Sequence, residues 1–331
     1  MIDSYTRAFA KLRSDAVPSR WGAATMGRAP HKPLLLLSIL DLIAQGQIQT
    51  NVIVPNADLL DVFDLYWVKV MGREREGNLA MPFFHLRSEG FWHLIALPGQ
   101  DALLSSARQI RSLRDLRAAV LGASLDRNLF QLLTQPHSRD DLRRVLIERY
   151  FAPETRPLLV EAGQIAQDSF TYSRELLDRT RGVFRIEEAP DADEGFRSES
   201  RSAAFRRVMV QAYAHTCAAC GIRLLTPEGR TAVAAAHIVP WSHSHNDDPR
   251  NGLALCGLHH WAFDQGMITV TPAHQLAVSP AVADDAGAAP IRDLGGRAIH
   301  LPADARLRPA TEALRWHGRN IFRADESWRA G

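Results

Sequence analysis

The chain has 331 residues, a length that suggests two domains because single hydrophobic cores rarely grow past about 250 residues. With 46% hydrophobic and 23% charged residues its composition is that of an ordinary globular protein, which excludes disordered, collagen-like and coiled-coil classes. The net charge is only +2, so charge alone identifies no nucleic-acid partner.

That small total conceals a division. Residues 1–160 carry 20 basic and 16 acidic side chains, residues 161–195 carry 4 and 9, and residues 196–331 carry 15 and 12. Two mildly basic ends thus flank an acidic middle. The longest largely apolar run, Pro33 to Leu40, stops at Asp41, far short of the roughly 20 residues of a membrane span. Charged positions interrupt Met1 to Arg13, unlike a secretion signal, and a cytoplasmic protein is expected.

Tyr5, Phe9 and Leu12 recur at helical intervals and predict an opening helix, after which Pro18 and Gly22 mark a loop. A second helix is expected to start after Pro33 and run to about Ala44, and a third over 56–71, where Leu59, Leu60, Phe63 and Trp67 share a face. Around Met81–Leu86 and Gly90–Leu97, aromatic and β-branched runs separated by Arg87 to Gly90 predict a hairpin, which gives the first domain a winged-helix-like expectation. Helices are predicted again at about 107–121, 126–134, 138–151 and 158–181. Five carboxylates and Pro190 fall within Glu187–Glu194, a stretch that reads as solvated linker. The expected division is a domain over 1–157, a helical and acidic linker over 158–195 and a second domain over 196–331, in the α+β class.

Cysteine and histidine usage locates the chemistry. Cys217, Cys220 and Cys256 are odd in number in a chain with no expected secretion signal, so metal binding is a better reading than a disulfide framework. Cys217 and Cys220, followed by Gly221, form one two-residue-spaced pair, and Cys256 with His259 forms another. Four such N/S ligands suit a closed tetrahedral zinc site, structural because no position is left for substrate. The alternative is buried thiols and a surface histidine. Six of the 13 histidines cluster here: His215, His237, His243, His245, His259 and His260.

A predicted helix at 203–213 leads into this region. Between the two pairs lie His237-Ile238-Val239-Pro240 and Asn251-Gly252-Leu253-Ala254-Leu255, and after Cys256 come His259-His260-Trp261-Ala262-Phe263-Asp264. This order resembles the HNH endonucleases and their ββα-metal fold over roughly residues 203–323. Phosphodiester hydrolysis needs a base to activate water and a cation to neutralise charge on the phosphate and the departing 3′ oxygen. The resemblance implies His237 as base, acting as neutral imidazole, and His260 as ligand of one catalytic Mg²⁺ or Mn²⁺ ion. It implies Asn251 as the tie that holds His237 in register, and Asp264 as an outer partner of a histidine. Ala236 departs from the pattern, since many HNH enzymes place a metal-binding Asp immediately before the base. His243, His245, Asp247 and Asp248 are candidates to replace it, and an inactive scaffold that binds DNA without cutting is a rival reading. His215 reads as a helix-end residue and Trp241 and Trp261 as core; Arg206 and Arg207 suit either phosphate contacts or a solvated face.

Residues 1–160 contain no paired carboxylates, phosphate-binding glycine loop or nucleophile motif, so a recognition domain is expected there. Arg28-Ala29-Pro30-His31-Lys32-Pro33, with Met81-Pro82-Phe83-Phe84-His85-Leu86 and Gly90-Phe91-Trp92, is similar to the sulfur-binding domains that precede HNH domains in McrA-like, modification-dependent type IV restriction endonucleases. This resemblance covers roughly residues 20–150. It implies a shallow apolar pocket around Pro82 and Phe83 for the sulfur of phosphorothioate DNA, with His31 and Lys32 at a helix N-terminus supplying donors and charge to the backbone. Sulfur is larger and more weakly hydrated than oxygen, so apolar contacts can favour it. Met81 stands where the family often has tyrosine. The implied partner is double-stranded, modified DNA, with no membrane and with a homodimer allowed. A further rival is an HNH nuclease whose first domain senses a protein or small ligand.

Overall fold

The computed structural model describes residues 2–100, 110–186, 196–283 and 286–324, so the expected acidic linker Glu187–Glu194 lies outside the described residues. The chain divides into two compact units, Met1–Gln167 with Pro227–Gly229, and Asp168–Thr226 with Arg230–Gly331. No helix among the described residues is long and apolar enough to cross a membrane.

The first unit is built on helices α1 (Ile2–Phe9), α2 (His31–Ala44) and α3 (Ala57–Met71). Apolar side chains surround α2 on all sides, so it cannot be a surface helix; every residue from Lys32 to Ile43 is buried. It starts at His31, ahead of the expected start after Pro33, because a proline in the first turn gives up an N–H that has no helical partner anyway. Asn56 caps α3, its side-chain oxygen accepting from the Leu59 N–H at 3.0 Å, and Leu59, Leu60, Phe63 and Trp67 are buried as their spacing requires.

The expected hairpin is not formed. Residues Ala80–His85 are helix α4, in whose first turn the Met81 N–H donates to the Asn78 side-chain oxygen at 3.2 Å, and a 3₁₀ turn over Leu86–Glu89 follows. Pro82 cannot donate to a ladder but fits the first turn of a helix, which decides between the two structures. Strand β1 (Trp92–Ala96) pairs instead with β2 (Val120–Leu125), antiparallel with Trp92 opposite Leu125. Between them lies α5 (Leu113–Ala119); of the helix expected at 107–121, residues 107–109 lie outside the described residues, 110–112 precede α5 and 120–121 belong to β2. The wing placed at 81–97 is therefore absent. Helices α6 (Arg127–Thr134), α7 (Pro136–Tyr150) and α8 (Arg156–Arg179) complete the series near their expected bounds. The division between the units falls within α8.

In the second unit α9 (Ser198–Ala212) packs on an antiparallel pair, β3 (Val233–His237) and β4 (Gly252–Cys256), and α10 (Gly257–Asp264) follows β4 directly. Register places His237 opposite Gly252. A β-carbon at Gly252 would lie 2.6 Å from the Met209 sulfur and 2.9 Å from the Phe205 ring, so α9 approaches closely because this position has no side chain. A second pair, β5 (Ile268–Val270) with β6 (Leu276–Val278), and the terminal helix α11 (Thr311–Asn320) close the unit. The mixture of helices with small sheets is the expected α+β composition.

Candidate active site and metal cluster

The Cys217–Gly221 turn is closed by two backbone bonds, Gly221 N–H to Cys217 C=O and Cys217 N–H to Ile222 C=O, each 2.9 Å. Gly221 sits at φ +73°, and a β-carbon there would also meet the His300 ring at 2.5 Å. The Ala218 N–H donates to Ala254 C=O at 2.7 Å, tying this turn to β4, whose end carries Cys256. His259 follows on the first turn of α10. Ligand atoms of Cys217, Cys220, Cys256 and His259 all lie within 4.8 Å of one another. His259 Nδ1 is 3.1 Å from Cys256 Sγ and 3.6 Å from Cys217 Sγ. Around a tetrahedral ion with bonds of about 2.0–2.3 Å, neighbouring ligand atoms stand about 3.5–3.8 Å apart, so the donor set fits such an ion. Burial, then the neighbouring Cys217 and Cys256 sulfurs, push the Cys220 thiol up to about 12; a shared cation is what would let these thiols ionise together.

His237 ends β3, 23% exposed at its side chain, with its ring stacked on Phe205 at 3.9 Å between centroids and 5° between planes. Its Nε2 is 2.8 Å from Asp247 Oδ1. It lines a cleft of about 360 Å³ together with Arg201, Arg206, Ser198, Ser202 and Trp241. Asn251 is fully buried and ties the approach to the base. Its amide oxygen accepts from the Val239 N–H at 2.8 Å, and its Nδ2 donates to the carbonyls of Val239 and Asn246, both at 3.0 Å. His260, on α10, is 30% exposed with its Nε2 3.5 Å from Asp264 Oδ2. Burial pushes the Asp264 carboxyl up, against the opposing pull of His260 and His237.

The loop residues considered as replacements for the acid missing at Ala236 have other engagements. Asp247 Oδ2 accepts from Tyr172 Oη at 3.1 Å and Arg201 Nε at 3.3 Å. Asp248 is clamped by Arg250 through Nε at 2.9 Å and Nη2 at 2.7 Å. His243 lies against Trp316 and His245 against Trp241. Trp261 is 57% exposed, contrary to its reading as core, and Arg207 lies over the Phe170 ring whereas Arg206 lines the cleft.

In the first unit His31 is wedged between Trp21 and Trp67, with centroids at 5.3 and 4.6 Å, and burial, then the Arg75 charge, pulls its ring down to about 4. Lys32 is buried and ion-paired with Glu89, so its charge is already neutralised within the fold. Phe83 is fully buried, edge-on to Trp92 at 5.0 Å, and its carbonyl accepts from Trp92 Nε1 at 2.9 Å. It is a core residue and not the pocket wall expected of it, because a helix at 80–85 turns this ring inward. Pro82 beside it is also buried.

Residues 217–271 match the HNH endonuclease family, and residues 19–167 match the ScoMcrA-like, DNA sulfur-binding domain. The chain carries an HNH endonuclease domain and a ScoMcrA-like sulfur-binding domain. No curated protein matches it. Among solved structures, the modification-dependent TagI restriction endonuclease is 22% identical, over 35% of this chain and 38% of its own, with a TM-score of 0.27. The type IV phosphorothioation-dependent restriction endonuclease ScoMcrA is 13% identical, over 78% of this chain and 94% of its own, with a TM-score of 0.32. This chain thus spans little more than a third of the TagI length.

Within the HNH domain the sequence reading missed the partners that converge on Asp247. Tyr172 and Arg201 belong to α8 and α9, far away in sequence, and no local spacing reveals them. His317, in the closing segment of the HNH resemblance, is buried on α11 and stacked on Phe263 at 3.7 Å; its Nε2 faces Phe263 C=O at 3.3 Å and its Nδ1 the Thr269 hydroxyl at 2.9 Å.

Proposed function

We propose that this protein is a modification-dependent DNA endonuclease, in which the sulfur-binding domain selects phosphorothioate-bearing DNA and the HNH domain hydrolyses its phosphodiesters. The observation that carries this reading is His237, lining an arginine-bearing cleft in the same chain as a match to a DNA sulfur-binding family. His237 takes a proton from water as the water oxygen bonds to phosphorus and the bond from phosphorus to the 3′ oxygen breaks. Arg206 gives the cleft positive charge for the phosphodiester. Asn251 holds the segment after β3 in place. His260 Nε2 and the Asp264 carboxylate offer nitrogen and oxygen donors to Mg²⁺ or Mn²⁺, and that cation would supply charge neutralisation at the phosphate and the 3′ oxygen. Cys217, Cys220, Cys256 and His259 hold structural zinc, since four protein ligands leave no open position. In the sulfur-binding domain the modified backbone is received beside α4 and the start of α2, near Pro82 and the partly exposed His31.

The nuclease assignment is tested with the full chain and supercoiled plasmid in Mg²⁺ or Mn²⁺. The wild type is expected to nick or linearise DNA, and His237→Ala to lose at least about 100-fold in rate with zinc content unchanged. Cleavage by His237→Ala within about tenfold of wild type would remove His237 from the role of base.

A further inference from the structure

Resting on that assignment of the base, we propose that Asp247 is the positioning residue of the active site: it fixes His237 as the Nε2–H tautomer and reserves Nδ1 for the proton of the attacking water. The carboxylate is 3% exposed and every contact made by its two oxygens has one sense. Oδ1 faces His237 Nε2 at 2.8 Å, while Oδ2 accepts from Tyr172 Oη at 3.1 Å and Arg201 Nε at 3.3 Å. Burial acts to raise its pKa, but the hydrogen bond and charge of His237, with Arg201 and Tyr172, outweigh burial and hold it below the usual carboxylate range. An ionised carboxylate accepts hydrogen bonds and donates none, so the ring nitrogen facing it must carry the proton. Among the described residues His237 Nδ1 has no hydrogen-bond partner, and the ring itself is clamped flat on Phe205.

The same contacts exclude Asp247 as the cation ligand missing at Ala236. Its oxygens are engaged, and the Arg201 guanidinium at 3.3 Å would repel a dication placed beside them. The triangle of Tyr172, Arg201 and His237 instead makes Asp247 the relay through which α8 and α9 set the orientation of a residue on β3.

The wild-type full chain, labelled with ¹⁵N-histidine, is expected to show the Nε2–H tautomer for His237 in long-range ¹H–¹⁵N spectra, assigned by loss of the signal in His237→Ala. An Nδ1–H tautomer would overturn the proposal without requiring any Asp247 variant to fold. Asp247→Asn is then expected to lower the single-turnover cleavage rate by about 10²–10⁴-fold while KM for DNA and zinc content stay near wild type; thermal stability falls as the buried Arg201 pair is lost, so rates are compared at a temperature where both proteins are folded. Tyr172→Phe, which keeps the bond to His237, should lose less than about tenfold. A folded Asp247→Asn protein cutting at the wild-type rate while His237→Ala is inactive would overturn the role of Asp247 alone. Activity in both variants would overturn the assignment of the base and this proposal with it.

Discussion

Asn251 contributes to folding as well as to the site, and its removal has a calculable consequence. Asn251→Ala deletes three hydrogen bonds, leaving the Val239 N–H and the carbonyls of Val239 and Asn246 without their partner at a fully buried position. At about 1 kcal/mol for each net bond, the loss is about 3 kcal/mol, and the buried, unpaired Val239 donor can add about 1 kcal/mol more. For a unit of this size that lowers its Tm by about 6–16 °C. Asn251→Asp is expected to be worse. A carboxylate still accepts from the Val239 N–H but opposes two carbonyl oxygens that the amide nitrogen had bonded. Calorimetry resolving the HNH transition, with hydrogen exchange of peptides covering 233–256 to assign it, measures both variants. A loss below about 1 kcal/mol for Asn251→Ala, or an Asp variant as stable as wild type, would refute the claim that this side chain ties the strand end to the loop.

Three further outcomes follow from the same contacts. Elemental analysis is expected to find one zinc per chain, and Cys217→Ser or Cys256→Ser should lose the ion and unfold the HNH unit; folded, active protein without zinc would contradict this. His317 is held neutral by burial, its pKa pulled down to about 4 from 6.5, so the unfolded chain binds the extra proton between those values. Stability therefore falls as pH drops from about 6.5 to 4, by up to about 3 kcal/mol, and thermal melts of His317→Gln should show a flatter profile over that window. Phe83→Ala should destabilise the sulfur-binding unit by about 3–5 kcal/mol because it empties a core position against Trp92, measured by denaturant unfolding of that transition.

What the sequence revealed follows from how local each signal is. Helices such as α3 and α8 repeat their apolar face every three or four residues, and the Cys217, Cys220, Cys256 and His259 cluster is written as two short spacings. The error at 81–97 arose where short aromatic runs satisfy helix and strand equally; Pro82 and the Asn78 bond to the Met81 N–H settled a choice that residue type alone left open. The pairing of β1 with β2 and the convergence of Tyr172 and Arg201 on Asp247 depend on tertiary packing across long stretches of chain. Lys32 and Phe83 looked available as recognition groups because their partners, Glu89 and Trp92, meet them only in the folded unit.

The central claim, that one domain selects sulfur-modified DNA for the other to cut, is tested most directly with two plasmids of identical sequence, one phosphorothioated and one not. Each is incubated with the full chain in Mg²⁺ or Mn²⁺ at fixed salt, with His237→Ala alongside. The account predicts cleavage of the phosphorothioated plasmid at least about tenfold faster than its unmodified twin, and none by the variant. Equal rates on both plasmids, or cleavage confined to the unmodified one, would contradict it.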